Sequence, residues 1–311
     1  MAKRFLISRL SSLGDVVCSL PAAGALKSAH PDAEIVWAVD PRFSGIVKSC
    51  KHVDTVLELK PKIDPSSWPT VEGEFDAALD LQGLLKSALV LKGTKAKVKV
   101  GYHWQREGAW LFSERVLPDP SSFHVVDQYV DVARAAGGNS DVADFGLKPL
   151  PEALESVKQK FTDDKPFVVM NGGAGWATKR WPPAHFANLI DKLAEAGYQT
   201  VLIGGRADDD ISVGKAIQDA AKTTPIDLVG QTSITELVAL LSLAKAHVGG
   251  DTGSSHLAAG LGIPAIGLYS VTKPVRSCPY GQIERCHYDA RGLASIQPDA
   301  VFGTLSEALK A

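Results

Sequence analysis

Two doubly wound, Rossmann-like α/β domains are predicted for this 311-residue chain. Short apolar runs of strand length alternate with helical patterns almost from end to end, which implies parallel sheets with crossover helices. A polar, proline-punctuated stretch from Pro149 to Pro166 divides that alternation in two. The turns rich in Gly, Ser and Asp follow directly on apolar runs, where doubly wound sheets bind ligands. The expected domains are 1–150 and 151–311, each long enough for its own core, with the carboxyl ends of both sheets facing a central cleft.

In the first half, Arg4–Arg9, Glu34–Asp40, Thr55–Leu59, Asp76–Leu81 and Val98–Tyr102 read as buried strands. Val16–Ala29 and Leu84–Lys92 read as helices, and Pro21 should kink or delay the first of them. In the second half, the strand candidates are Phe167–Asn171, Thr200–Gly204, Asp227–Val229, Ala246–Gly249 and Ala265–Tyr269. Pro183–Ala196, Asp208–Ala221 and Ile234–Ala244 carry helical periodicity, with Gly197 as a stop signal.

Composition is that of an ordinary globular protein, 45% hydrophobic and 22% charged, and the formal net charge of −2 argues against nucleic-acid binding. Cys18, Cys50, Cys278 and Cys286 form no CxxC or zinc spacing, so reduced thiols in a cytoplasmic protein are expected. Lys3 and Arg4 before an apolar stretch faintly imitate a secretion signal, but Arg9, Gly14 and Asp15 interrupt it. No apolar run reaches the roughly 18 residues needed to span a bilayer. A peripheral contact with a membrane surface stays open.

The segment Val248-Gly-Gly-Asp251-Thr252-Gly253-Ser-Ser-His256-Leu-Ala-Ala259 reads as a strand, a small-residue turn and a helix start. Free N–H groups and the helix dipole suit a diphosphate there, Thr252 adds a hydroxyl, and Gly253 permits close approach. Asp251 and His256 can reach sugar hydroxyls, although caps and a structural histidine explain the same residues. A metal on Asp251 and His256 is disfavoured, because no further ligand cluster accompanies them.

Three other turns carry candidates. Ser11-Ser12-Leu13-Gly14-Asp15 closes the first strand, and Asp15 is either a helix cap or a general base. Asn171-Gly-Gly-Ala-Gly-Trp-Ala-Thr-Lys179 is a glycine-rich turn with a mobile cation, matching neither a Walker loop nor a dinucleotide fingerprint. In Gly204-Gly-Arg-Ala-Asp-Asp209-Asp, Asp209 is a candidate ribose ligand within what also reads as an acidic helix start. A local run of Lys92, Lys95, Lys97, Lys99 and Arg106 suits an anionic acceptor or an acidic membrane surface.

Three motifs in this order, Ser-Ser-Leu-Gly-Asp15-Val, Lys179-Arg-Trp-Pro and Asp251-Thr-Gly-Ser-Ser-His256-Leu-Ala-Ala, resemble glycosyltransferase family 9, the ADP-heptose:lipopolysaccharide heptosyltransferases. The resemblance runs over nearly the whole chain. Asp80-Leu-Gln82-Gly-Leu-Leu-Lys86-Ser and Gly101-Tyr-His-Trp-Gln-Arg106-Glu are most like the heptosyltransferase I branch. The loop before Lys179 is closer to enzymes that add the second heptose.

The resemblance implies a GT-B fold, with the acceptor in the first domain and ADP-heptose in the second. It implies Asp15 as catalytic base, donor contacts from Lys179, Asp251, Thr252, Gly253 and His256, and a ribose contact near Asp209. It implies acceptor contacts from Ser12, Gly14, Gln82, Lys86 and Arg106, with no cofactor and no metal. The expected reaction is an inverting, metal-independent transfer of heptose to the Kdo region of the lipopolysaccharide inner core, on a Kdo-containing lipid A acceptor. The alternatives are a related transferase with another nucleotide sugar or acceptor, and a non-catalytic sugar-nucleotide binding protein.

Overall fold

The structure, a computed structural model, describes residues 2–62, 64, 67–139, 143–173 and 180–310. The chain divides into two compact units, Met1–Lys148 and Pro149–Ala311.

The first unit contains β1 (Arg4–Ser8), α1 (Leu13–Ala29), β2 (Glu34–Val39), α2 (Ser44–Lys48), β3 (Thr55–Glu58), β4 (Val71–Asp80), α3 (Leu85–Lys92), β5 (Thr94–Tyr102), β6 (Glu114–Val116) and α4 (Val125–Ala135). Its strands form one sheet in the order β3-β2-β1-β4-β5-β6, and every pairing is parallel. Phe5, Leu6 and Ile7 of β1 are buried on both faces, as a central parallel strand requires.

Helix α1 is buried from Val16 to Leu26, and α4 packs against it. A helix apolar all round belongs inside a core. The expected delay at Pro21 is not found: the helix starts at Leu13 and includes Pro21 in its interior. Dense burial of the surrounding turns holds the helix together despite the missing N–H of the proline.

The second unit contains α5 (Pro151–Lys158), β7 (Phe167–Asn171), α6 (Pro183–Glu195), β8 (Gln199–Ile203), α7 (Asp208–Ala220), β9 (Ile226–Asp227), α8 (Ile234–Leu243), β10 (Ala246–Gly250), α9 (Gly253–Gly260), β11 (Ala265–Tyr269), α10 (Pro274–Ser277), β12 (Cys286–Tyr288) and α11 (Pro298–Ala308). Its sheet order is β12-β11-β10-β7-β8-β9, again wholly parallel. Renumbered from its own first strand, that is the order of the first sheet. Val168, Met170, Val248 and Ile266 of the sheet pack with Trp181, Phe186, Leu189 and Leu305 of the flanking segments. The doubly wound, Rossmann-like architecture expected from the sequence is therefore present twice.

Candidate functional site

In the first unit, the candidate residues gather where β1 and β4 end side by side. Ser8 pairs with Asp80 in register, so the turns that follow both strands emerge together. Gln82 Oε1 accepts from the N–H groups of Leu10 at 2.9 Å and Ser11 at 3.3 Å. Asp80 is buried and its Oδ1 accepts from the N–H groups of Gln82 and Gly83. Burial pushes the Asp80 carboxyl up, against the lowering effect of those N–H groups and of Arg9.

Asp15 occupies the first turn of α1. Its Oδ2 accepts from the Ser12 hydroxyl at 2.8 Å and the Ser12 N–H at 3.2 Å, so the capping role read from the sequence is real. Its Oδ1 meets Arg9 Nη2 at 2.8 Å. Arg9 is itself buried, donates to the Leu81 carbonyl and lies over the Tyr129 ring. Burial pushes the Asp15 carboxyl up, but Arg9 and Ser12 outweigh it and hold it below the ordinary value of 3.8. The result is an ionised, half-exposed carboxylate aimed by contacts on both oxygens.

Ser12, Gly14, Asp15 and Gln82 are thus brought into one cluster. Arg106 joins it through its backbone, whose N–H donates to the Gly83 carbonyl at 2.8 Å, while its exposed guanidinium lies over Trp104. Gly83 has a φ of +72°, and a Cβ there would meet the Trp104 carbonyl oxygen at 2.7 Å, so glycine is required for this approach. Lys86 is exposed on the first turn of α3. Two members of the basic run serve locally: Lys97 pairs with Asp76 at 2.7 Å and Lys92 lies over the Trp68 ring.

In the second unit, β10 delivers Asp251 and Thr252 to the start of α9, with Thr252 as the N-cap residue and Gly253 first in the helix. Asp251 Oδ2 accepts from the Thr272 hydroxyl at 3.1 Å, and its Oδ1 lies 3.8 Å from His256 Nε2. Thr252 and Asp209 line the same cavity of about 440 Å³, together with Asn171, Gly173, Arg180 and Asp210. Asp209 pairs with Arg180 Nη2 at 3.1 Å, whereas Asp210 turns back to accept from the Gly205 N–H at 3.0 Å. The three aspartates occupy the first turn of α7, as the acidic-start reading expected. Lys179 lies outside the described residues.

Several polar residues here went unread in the sequence. Arg9 follows β1, Asn171 ends β7 and His247 lies within β10, while Ser254 sits in the first turn of α9 and Arg180 just before α6; nothing in their spacing singles them out. Among the described residues no group of three or more His, Cys, Asp or Glu could hold a metal ion, and no helix is long and apolar enough to cross a membrane. None of Cys18, Cys50, Cys278 and Cys286 is in a disulfide.

An acidic turn aimed by a buried cation and a helix start opening onto a polar cavity suit transfer from a phosphorylated donor. Residues 69–294 match the sequence model of glycosyltransferase family 9 (heptosyltransferase). The chain belongs to that family. It is 28% identical over 320 residues to lipopolysaccharide heptosyltransferase 1 of Salmonella typhimurium, covering 97% of this chain and 99% of that protein. It is 26% identical over 289 residues to the lipopolysaccharide core heptosyltransferase OpsX of Haemophilus influenzae, covering 91% and 83% respectively.

Among solved structures of heptosyltransferases, E. coli WaaC with ADP superposes with a TM-score of 0.80 at 27% identity, over 98% of this chain and 99% of that one. The family 9 glycosyl transferase of Veillonella parvula shares the fold, with a TM-score of 0.87 at 20% identity over 99% and 97%. The GT-B fold and the glycosyltransferase class implied by the sequence motifs are those of this family 9 enzyme.

Proposed function

We propose that this family 9 enzyme moves heptose from ADP-heptose to the Kdo region of the lipopolysaccharide inner core, with inversion and without a metal. The observation that carries the mechanism is the Arg9–Asp15–Ser12 arrangement, which presents an ionised carboxylate at the carboxyl edge of the first sheet. Asp15 takes the proton of an acceptor hydroxyl as that oxygen bonds to the anomeric carbon, and the bond to the diphosphate breaks on the opposite face. Charge builds on the departing ADP. The N–H groups at the start of α9, the Thr252 hydroxyl and Lys179 meet it in place of a metal. Asp251 and His256 orient the sugar, and Asp209 serves the ribose.

The substrate assignment draws on the relatives, since lipopolysaccharide heptosyltransferase 1 of Salmonella, Pseudomonas and E. coli each align over most of this chain. E. coli WaaC has also been solved with ADP-2-deoxy-2-fluoro heptose. Enzymes named heptosyltransferase 2 and 3 match as well, which favours a later core position as the second reading. Acceptor contacts are assigned to Ser12, Gly14, Gln82, Lys86 and Arg106. A peripheral contact with the cytoplasmic face of the membrane is supported by exposed Trp104, Trp110, Leu111, Leu117 and Phe123 in one segment of the first unit.

The test is mass spectrometry of products from ADP-heptose and a deacylated Kdo acceptor without added metal. Gain of one heptose with the wild type, and none with Asp15→Ala, supports the reading. Donor binding without transfer moves the assignment to another acceptor.

A further inference from the structure

Beneath the start of α9 lies a chain of polar side chains that the mechanism above does not use. His247, on β10, is fully buried. Burial and the neighbouring His256 push its imidazole down to about 3, so it is neutral. Its Nε2 lies 3.0 Å from Ser254 Oγ, while its Nδ1 is buried without a hydrogen-bond partner. The same Ser254 oxygen accepts from Asn171 Nδ2 at 2.9 Å and lies 3.0 Å from Thr252 Oγ1. The Asn171 amide is oriented by its Oδ1, which accepts from the Gly173 N–H at 3.0 Å. Gly249 makes room for the cluster, because a Cβ there would meet His247 Cε1 at 2.8 Å and Asn171 Cβ at 3.4 Å.

Counting protons gives the chain a direction. A neutral imidazole carries one N–H. On Nδ1 it would be an orphaned buried donor, which native structures avoid more strictly than an under-used acceptor. The proton therefore belongs on Nε2 and is donated to Ser254. With Asn171 donating as well, both Ser254 lone pairs are taken, and its own O–H must turn to Thr252 Oγ1. The remaining hydroxyl nearby, Ser255, donates to the Gly250 carbonyl at 2.7 Å and stands 3.4 Å from Thr252. The Thr252 proton then has two outlets, the Ser255 oxygen across that long 3.4 Å contact and the cavity that Thr252 lines, where an anionic oxygen is the stronger acceptor.

We infer that His247 and Ser254 are positioning residues that turn the Thr252 hydroxyl into a committed donor to an anionic oxygen, the diphosphate of a nucleoside diphosphate. This rests on the donor-site reading of the second unit. It adds a specificity element, since a hydroxyl fixed as donor favours a charged diphosphate over a neutral ligand portion.

Calorimetric titration of the full chain with ADP and with adenosine tests it. Ser254→Ala and Thr252→Val should each weaken ADP about ten- to a hundredfold, the size of one hydrogen bond to a charged group. The double variant should be no weaker than Thr252→Val alone, adenosine should be unaffected, and Ser254→Thr, which keeps the hydroxyl, should restore ADP affinity. Nitrogen-15 shifts of His247 should show a protonated Nε2 and a bare Nδ1.

If Thr252→Val weakens ADP while Ser254→Ala stays within about twofold of wild type, the relay is overturned and the donor site stands. If Thr252→Val itself leaves ADP binding intact, the relay is likewise overturned; if the wild type does not bind ADP, the donor-site reading falls and takes the relay with it. Equal losses for ADP and adenosine, or a proton on Nδ1, also overturn the inference.

Discussion

Arg9 and Asp15 form an ion pair of 2.8 Å in which the cation is buried and the carboxylate half exposed. That asymmetry means the protein fixes the guanidinium and the guanidinium fixes the carboxylate. Arg9 is anchored to the Leu81 carbonyl after β4, so the candidate base of β1–α1 is aimed from the neighbouring strand. Four expected outcomes follow from this and related arrangements.

Replacing Asp15 by Asn keeps the size and the Ser12 contacts but removes the proton acceptor. Turnover should fall by about 10²–10⁴-fold, the usual contribution of a general base. ADP affinity, measured by calorimetry, should barely change. A parallel loss of ADP affinity would mean the carboxylate supports the fold instead.

Arg9 and Ser12 depress the Asp15 carboxyl below 3.8, so the acid limb of kcat/KM should lie below about pH 4. Arg9→Met removes the charge that favours ionisation, so that limb should move to higher pH. A pH–rate profile in which the limb stays put would uncouple the two residues. The same pair stabilises the fold above the unfolded carboxyl value, and that contribution fades as pH falls through the folded one.

Glu236, in the first turn of α8, accepts from the Ser233 N–H and the Ser156 hydroxyl and pairs with Lys160 at 3.3 Å. Burial pushes its carboxyl up, but these partners prevail and bring it from 4.5 down to about 2. Glu236→Gln should cost about 1–2 kcal/mol in urea unfolding at pH 7. Because the folded value is depressed, the deficit should shrink as pH falls from 4.5 toward 2. A deficit that is equal at pH 7 and at pH 3 would contradict the assignment.

The thiols should be inert in the native state. Cys18, Cys50 and Cys278 are buried; burial pushes Cys50 up to about 11, and the adjacent Cys278 thiol and burial raise Cys286. Ellman's reagent at pH 8 should therefore react slowly until the protein is unfolded, when four thiols appear. Rapid native labelling would show an opening that buried thiols do not allow.

The long β/α alternation was legible because buried parallel strands are continuous apolar runs. Short edge elements were not. Glu114-Arg-Val116 and Cys286-His-Tyr288 have three residues each and no apolar run, so β6 and β12 leave no pattern to read. Helix α4 was missed although amphipathic, because its cap is His124, whose Nδ1 accepts from the Val126 N–H. Helix α1 begins at Leu13, earlier than Val16, because Ser12 and Asp15 form the cap from side chains the apolar pattern ignores.

At the site, Asp15 and Thr252 could be singled out from a strand–turn–helix pattern alone. Their supports could not. Whether Arg9 points inward to Asp15, or His247 toward Ser254, depends on the pairing of strands distant in the chain, and periodicity carries no information on that. Asp209 and Asp210 are indistinguishable as letters, yet one faces Arg180 and the other closes on Gly205.

The shared strand order also governs how the chain becomes a protein. In each sheet the first strand is completed by the fourth, Phe5 beside Ala77 and Val168 beside Ala246. During synthesis β1 must wait for β4 to leave the ribosome, and β7 for β10, with apolar strand edges uncovered meanwhile. The last strand of the first sheet ends at Val116 and that of the second at Tyr288. Translation therefore offers two separate intervals of vulnerability to aggregation, and chaperone demand should peak twice along one nascent chain.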